Sequence, residues 1–470
     1  MNLPIYAIIN NNICLLVTRM INSNIFKAYD IRGVYPDEIN EDAVYKIGLA
    51  FLEFLSKKGG LNNQQIIIGR DMRLSSDDLF DALAQALVSQ SFDVIDIGRI
   101  STSFFYWALI SQKAAGGIMI TASHNPAQYN GLKLYGEGGF PIGATSGLEE
   151  IRELALKDKT ISIATALGRI QEKNLWPEYT EFIKSKVDLS RIKPLKIIAD
   201  CGNGMMGPEI KKIIGDLPVE IEILFGEPDG SFPNHEADPV KEENLIDLKK
   251  AIKTKGADLG VAFDGDGDRI CFIDEAGESV RGDFITALIA QDLLKKSPGQ
   301  KIFYETRSSR AVPEAIKAAG GVAVLGRAGH TLIKTQMRQE DILFGGELSG
   351  HYFYRDLGFV ENSFITMLKV WEILSSQQQL FSVLCAPLKK YFNSGEINFK
   401  VADADKTLAG IELHFSGAPI KKIDGLTVEY PDWWFNLRKS NTEPLVRLNL
   451  EANSASLLEE KKREVIGSIE

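Results

Sequence analysis

Cysteine is sparse in this chain: Cys14, Cys201, Cys271 and Cys385 are the only four in 470 residues, and none stands at a metal-ligand spacing from another. That pattern argues against a disulfide scaffold or a cysteine zinc site and fits a reducing, cytoplasmic setting. Positive charge is in deficit as well, with 53 Lys and Arg against 63 Asp and Glu and a net charge of -10. A general nucleic-acid surface is not expected from that balance, although it leaves room for a local basic pocket for a small anion. No apolar run reaches the ~18 residues of a membrane span, so no membrane partner is expected. The opening MNLPIYAIINNNICLLVTRM has no basic residue before its apolar stretch, and Asn10, Asn11 and Asn12 interrupt it. A secretory signal does not look like that. Residues 1–24 read instead as an extension outside the fold, with Met20 as an alternative start. Short-period repeats and low-complexity tracts are also missing.

What is present is the composition of an ordinary globular protein, 44% hydrophobic and 25% charged. At about 100–200 residues per domain, the length suggests three or four domains. Strand-like runs alternate with amphipathic helices from Gln65: QQIIIG, DDLFDALAQALVSQ, DVIDIG, then GGIMIT and a helix near Gly147 to Leu156. The pattern restarts at LKIIAD (195–200) and closes with DLGVAFD (258–264). A third round holds DFITALIAQDLL, KIFYET, AVPEAIKAAG and VAVLG, then a long helix with Phe364, Met367, Leu368 and Trp371 at i, i+3, i+4 and i+7. Such alternation predicts α/β units with helices covering a largely parallel sheet. The last stretch turns to short strands, EINFKV and PLVRLNLEA, and a charged helix, which predicts a smaller α+β domain. Boundaries are expected near Lys157–Ala166, after Asp274 and near Tyr391–Gly395.

Four polar constellations punctuate these units. Thr121-Ala122-Ser123-His124-Asn125-Pro126 follows the strand GGIMI. The carboxyl end of a parallel strand is where α/β sheets bind ligands, and Asn125-Pro126 favours a turn that presents the Ser123 hydroxyl. An ordinary polar turn accounts for the same residues. Asp264-Gly265-Asp266-Gly267-Asp268-Arg269 alternates carboxylates with glycine, which lets the backbone curl until the oxygens converge on a hard cation such as Mg²⁺ or Mn²⁺. An EF-hand fails because Arg269 stands where the loop needs glycine and ICFI continues as a strand. A solvated acidic turn is disfavoured because packed carboxylates repel one another. Gly346-Glu347-Leu348-Ser349-Gly350-His351 offers Glu347 and Ser349 to vicinal sugar hydroxyls, or is a hairpin with its glutamate in solvent. Arg438-Lys439-Ser440-Asn441-Thr442-Glu443-Pro444, with Arg447 behind, sets short donors beside a guanidinium, as a phosphate requires. A hairpin turn with surface arginines reads similarly. Of five histidines, His124, His330 and His351 lie in or beside these loops.

In this order and at these separations, TASHNP, DGDGDR, GELSGH and RKSNTEP resemble the signature loops of the α-D-phosphohexomutases. FKAYDIRG (26–33) and GRDMRLSS (69–76) resemble the family's opening segments, so the likeness runs from about Ile25 to the C-terminus. GELSGH and SNTEP are most similar to the phosphomannomutase/phosphoglucomutase branch, since the phosphoglucosamine mutase branch usually has glutamine and glycine at the positions of Leu348 and Asn441. The resemblance implies an α/β protein of four domains around a central cleft, each giving one loop. Three similar mixed-sheet domains would span 25–165, 166–274 and 275–391, followed by a C-terminal α+β domain over 392–470. It also implies roles. Ser123 would carry a phosphoryl group, and Mg²⁺ would sit on Asp264, Asp266, Asp268 and an oxygen of the phosphorylated Ser123. Glu347 and Ser349 would hold sugar hydroxyls, and Arg438, Ser440, Asn441 and Thr442 the unreacting phosphate. Tyr29, Arg32, Lys133, Arg269, Arg307 and His330 fall at positions lining the cleft, with Arg32, Lys133 and His330 as candidates for the general base.

The implied activity is interconversion of hexose 1-phosphate and hexose 6-phosphate, of mannose or glucose, through a phosphoserine and a hexose 1,6-bisphosphate. The alternatives are a phosphoglucosamine mutase, a metal-dependent sugar phosphatase using the Asp264 region, and a silent phosphosugar sensor. STSFFYWAL (101–109) and Glu361-Asn362-Ser363 differ from commoner family versions, which bears on substrate preference.

Overall fold

A computed structural model of the chain describes residues 8–9, 12–13, 21–58, 63–157, 164–215, 217–439 and 445–469. Apart from a short pairing of Ile8–Ile9 with Asn12–Ile13, the expectations for residues 1–20 lie outside the described residues, as do those for Ser440, Asn441 and Thr442.

The first three units share the order of four strands, with a fifth at the edge that precedes the others in the chain in the first unit and follows them in the second and third. In the first, strands run Asp93–Arg99, Gln65–Arg70, Gly116–Ile120, Tyr129–Gly136 and Ile31–Val34 across the sheet. The second runs Val219–Leu224, Leu195–Asp200, Leu259–Phe263, Ile270–Asp274 and Ser279–Val280, and the third runs Val322–Gly326, Lys301–Glu305, Phe344–Gly346, Tyr352–Tyr354 and Val360–Glu361. In each, the first three strands are parallel and the fourth returns antiparallel beside the third. The sheets are therefore mixed, as the family resemblance implies. The third strand is buried on both faces in every unit, which is why GGIMI, LGVAF and FGG lack polar alternation. The C-terminal unit differs, with antiparallel neighbours in the order Phe392–Lys400, Leu445–Ala452, Trp433–Lys439, Leu426–Glu429, Ile420–Lys421 and the helices Ala404–His414 and Ala455–Ile469.

The first unit makes contacts at both ends of its motif-bearing segment. Ile21 packs into its core, and Ile170–Glu172 pairs in parallel with Asp93–Arg99 as an added edge strand. The apolar side chain and the backbone ladder at those two places extend the unit beyond the segment marked by motifs.

Helix Glu41–Lys57 lacks any site motif, yet its ends are well signalled. Asn40 accepts from Ala43 N at 3.0 Å, and Glu41 and Asp42 oppose the positive end of the helix dipole. Its buried stripe of Val44, Ile47, Phe51 and Leu55 seats it in the first unit's core. Helix Thr102–Ser111 is apolar on nearly all sides because it is wedged between units. Phe104, Phe105 and Leu109 belong to one apolar cluster that runs on through Ile197 and Phe263 to Ile302 and Trp371. The C-terminal unit keeps its own core around Phe435, Leu448 and Val465.

The first and second units are also joined by a buried carboxylate. Glu209, on helix Met206–Ile214, accepts from Ser101 N at 2.7 Å and from Ser101 Oγ at 2.9 Å. Burial pushes its carboxyl up from 4.5 to about 7, against the opposing pull of the Ser101 bonds. Because the folded protein holds this proton more tightly than the unfolded chain, the contribution is full below 4.5 and is lost as pH rises through about 7. Glu209→Gln keeps an acceptor for Ser101 without a titratable proton. Between those pH values the melting temperature of the wild type should fall relative to the variant, as read by paired thermal melts; parallel curves would show that Glu209 does not titrate there.

Candidate active site

The three loops that resemble family signatures in the first three units occupy one topological place, the turn from the third strand to its antiparallel neighbour. These turns face one another. Ser123 is 2% exposed, and its Oγ donates to Asp264 Oδ2 at 2.6 Å and lies 3.1 Å from His124 Nδ1. Its backbone sits at φ 51, in the left-handed region that a non-glycine residue adopts at a cost of about 1–3 kcal/mol. The offset is visible next to it. Arg73, fully buried, donates to the carbonyls of Ser123, Asn125, Pro126 and Tyr129 at 2.6–2.8 Å, so one planar fork holds the whole serine turn.

The acidic loop closes on this turn. A Cβ on Gly265 would stand 2.8 Å from the Ser123 carbonyl, and Gly267 takes φ +68, so both positions require glycine. Asp264, Asp266 and Asp268 are buried, with one oxygen of each within 4.8 Å of the others. Asp264 Oδ1 accepts from Asp268 N and Arg269 N, both at 3.1 Å. Lys133 bridges Asp266, at 2.8 Å, and Asp268. Burial, then the charges of Asp266 and Asp268, push the Asp264 carboxyl well above its usual range. Burial pushes Asp268 upward too, but Lys133, His351 and Arg269 hold it well below. Asp266 Oδ1 is buried without a hydrogen-bond partner. An all-oxygen trio with an idle buried oxygen and surplus negative charge fits a hard divalent cation.

His351 joins this loop to the third unit. Its Nε2 lies 3.2 Å from Asp268 Oδ1, and its Nδ1 lies 3.1 Å from Glu347 Oε2 and 3.0 Å from Ser349 Oγ. From Glu347 the charges continue outward: Arg307 stands 3.6 Å away and is gripped by Glu305 through two bonds of 2.6 Å. Arg307 is 3.8 Å from Glu396, which binds Arg438 at 2.8 Å and Arg447 at 3.1 Å. A polar chain thus runs from Ser123 to Arg438 through all four units.

The remaining expected residues border the same chain. Arg32 binds Asp30 at 2.7 Å and the Ala122 carbonyl at 3.1 Å, which sets it against the serine turn. Arg269 Nε is 3.9 Å from Asp264 and 3.4 Å from His351 Nε2. His330 begins helix His330–Glu340; its ring stands 5.7 Å from Tyr29 and 6.1 Å from His351, and its Nδ1 is buried without a hydrogen-bond partner. Burial first, then Lys334 and Lys133, hold the His330 imidazole well below its usual range, so it is neutral. Sequence reasoning assigned no role to Arg73, Glu305, His351 or Glu396. His351 is the last residue of GELSGH and Arg73 lies inside GRDMRLSS, so both stand within motifs whose other residues drew the assignments. Nothing in the sequence pattern marks Glu396.

Comparison with known proteins agrees with this geometry. Profiles of the phosphoglucomutase/phosphomannomutase family match in chain order, the alpha/beta/alpha domains I, II and III over 23–161, 177–277 and 281–391 and the C-terminal domain over 396–468. Phosphohexose mutases of Xanthomonas campestris pv. campestris are 39% identical over 94% of this chain and 98% of their own. The phosphomannomutase of Escherichia coli K12 is 38% identical over 94% of this chain and 98% of its own. The crystal structure of a family protein from Burkholderia thailandensis matches with a TM-score of 0.87 at 32% identity, covering 96% of this chain and 98% of that one. Fold and relatives define a phosphotransferase of the mutase class that acts on hexose phosphates. The chain belongs to the phosphoglucomutase/phosphomannomutase family.

The His351 bridge has a measurable consequence. Burial lowers its affinity for a proton, but Asp268 and Glu347 outweigh that and raise it from 6.5 to about 9. The stabilisation is full below 6.5 and is lost as pH rises through about 9. Imidazole ¹⁵N NMR of the metal-free protein should show one ring titrating near 9 that disappears in His351→Asn; a spectrum with no such ring, or one in which it persists in the variant, would break the bridge.

Proposed function

We propose that this protein interconverts hexose 1-phosphate and hexose 6-phosphate by passing a phosphoryl group through Ser123, with mannose and glucose as its sugars. The observation that carries the reading is the 2.6 Å bond from Ser123 Oγ to Asp264 Oδ2. It sets the nucleophile and the carboxylate trio in one chamber. Phosphoryl transfer needs positioning and charge neutralisation more than covalent chemistry, and this chamber supplies both.

The starting enzyme carries phosphoserine at position 123. The P–O bond to Ser123 Oγ breaks as a P–O bond to the free sugar hydroxyl forms, and the hydroxyl proton passes to a base. The product is a hexose 1,6-bisphosphate. After it turns over in the cleft, Ser123 Oγ takes its other phosphoryl group and the departing sugar oxygen recovers the proton. We assign proton acceptance to His330, whose buried Nδ1 is unpartnered and whose ring is neutral. Asp266 and Asp268 raise Lys133 well above its usual range, and Asp30 raises Arg32, each against the downward pull of burial. Those two, with Arg269, act as fixed cations. Mg²⁺ held by Asp264, Asp266, Asp268 and a phosphoserine oxygen would neutralise charge on the transferring group.

Glu347 and Ser349 are assigned to the sugar hydroxyls away from C2, so glucose and mannose both fit. Arg438 with Ser440, Asn441 and Thr442, aided by Arg307, is assigned to the phosphate that is not reacting, and Tyr29 to the cleft wall beside His330. We divide the chain into working units at 165, 274 and 391, with Ile170–Glu172 carried into the first sheet. The free thiols Cys201, Cys271 and Cys385 support a cytoplasmic setting, and among the described residues no helix is long and apolar enough to cross a membrane.

Ser123→Ala should abolish turnover of mannose 1-phosphate and glucose 1-phosphate while still binding them, and intact-mass analysis should find one phosphoryl group on the wild type and none on the variant. Near-native turnover would exclude the phosphoserine route. Net release of inorganic phosphate without labelling of Ser123 would favour the phosphatase, and preference for glucosamine 1-phosphate the phosphoglucosamine mutase. Asp266→Asn should lose activity that excess Mg²⁺ restores poorly, as measured in an Mg²⁺ titration of initial rate; an unchanged Mg²⁺ dependence would remove the trio from the site.

A further inference from the structure

On the reading that Asp264, Asp266 and Asp268 bind a divalent cation, we infer that Thr102 is a positioning residue for that site. Asp266 lies in the second unit, but the side chains that aim it come from the first. Thr102 N donates to the Asp266 carbonyl at 2.8 Å, and Thr102 Oγ1 donates to Asp266 Oδ2 at 2.6 Å. Lys133 Nζ donates to the same Oδ2 at 2.8 Å. Both donors therefore act on one oxygen, and Oδ1 is left buried with no partner. A carboxylate pinned through one oxygen in this way has its other lone pairs free for a cation.

Thr102 is itself held rigidly. It opens helix Thr102–Ser111, whose preceding residue Ser101 accepts from Phe104 N at 3.1 Å and gives both its N–H and its Oγ–H to Glu209. The next residue of the acidic loop is supported from the same stretch. Ser103 Oγ donates to the Gly267 carbonyl at 3.2 Å, and Ser363 Oγ donates to it at 2.6 Å. Without the Thr102 hydroxyl, Asp266 would keep only Lys133, which also serves Asp268. The carboxylate would then be free to turn both oxygens toward the ammonium. Residues that orient metal ligands in this way typically account for about 10–100-fold in metal affinity.

The test is a titration of the full-length protein with Mn²⁺, following free ion by electron paramagnetic resonance. Thr102→Val keeps the shape and removes the hydroxyl, and should weaken Mn²⁺ binding by about tenfold or more. Thr102→Ser returns the hydroxyl and should restore most of the affinity, while Thr102→Ala should remain weak. If the valine variant does not fold, the serine–alanine comparison decides alone. Wild-type affinity in Thr102→Val, or a serine variant as weak as alanine, would overturn the inference and leave the cation site standing. A wild-type protein that does not bind Mn²⁺ would overturn the cation reading and this inference with it.

Discussion

The structure depends on the enforced proximity of Asp264, Asp266 and Asp268 in a place that water does not reach. Three buried carboxylates within a few ångströms repel one another, and a single lysine, Lys133, is bonded among them. Removing one partner of a buried ion pair typically costs about 3–5 kcal/mol, so each contact around the trio matters to the fold as well as to chemistry. Much of the surrounding architecture answers that strain. Backbone amides of the loop turn inward to Asp264 Oδ1, His351 takes a second charge to Asp268, and Ser123 sends its hydroxyl to Asp264 Oδ2. What remains unsatisfied, the idle oxygen of Asp266, is where a cation would fit.

Repetition of one sheet order explains how distant stretches meet. Each of the first three units turns its third strand back into an antiparallel fourth, and each places its polar loop at that turn. A turn at the carboxyl end of a fully buried strand is a rigid platform, since the strand is fixed on both faces. Packing three such platforms on one apolar cluster points three different chemistries at one another: a hydroxyl, a carboxylate trio, and a glutamate with histidine. One sheet arrangement used three times thus presents three different sets of side chains to a common place.

Element type was largely legible in the sequence because buried strands are continuous apolar runs and helices carry periodic stripes; GGIMI, LKIIAD and the helix bearing Trp371 all stand where the pattern puts them. The acidic loop was legible from its own residues, because glycine and carboxylate alternation has few other uses, whereas the other three polar loops also fit ordinary turns and stood out through the family resemblance. Residues that act by reaching across units were not. Arg73 serves four carbonyls some fifty residues away, and Glu396 meets Arg307 from another unit, so no local pattern records either. The sequence departs from commoner family versions at STSFFYWAL and Glu361-Asn362-Ser363, two stretches far apart in the chain. In the fold, Ser103 and Ser363 meet on the Gly267 carbonyl, which ties both segments to the acidic loop. Only tertiary contact reveals that, because the two stretches have no relation in sequence.

The distribution of apolar contact separates what must hold still from what can shift. The first three units share a single buried cluster, so displacing one against another would expose apolar surface at about 25 cal/mol per Å². The C-terminal unit has a core of its own. It meets the rest through polar links: Arg310 donates to the carbonyls of Pro431, Tyr430 and Trp433, and Arg310 N donates to Glu451 at 3.0 Å. Polar interfaces of this kind can be remade in a new position with little net cost, since each broken bond is replaced by one to water. On the proposed mechanism, a sugar that presents first one end and then the other to Ser123 would carry its distal phosphate to two different places. Arg438 and Arg447, mounted on the unit with the separate core, would then follow that phosphate while Ser123 and the carboxylate trio stay fixed on the shared one.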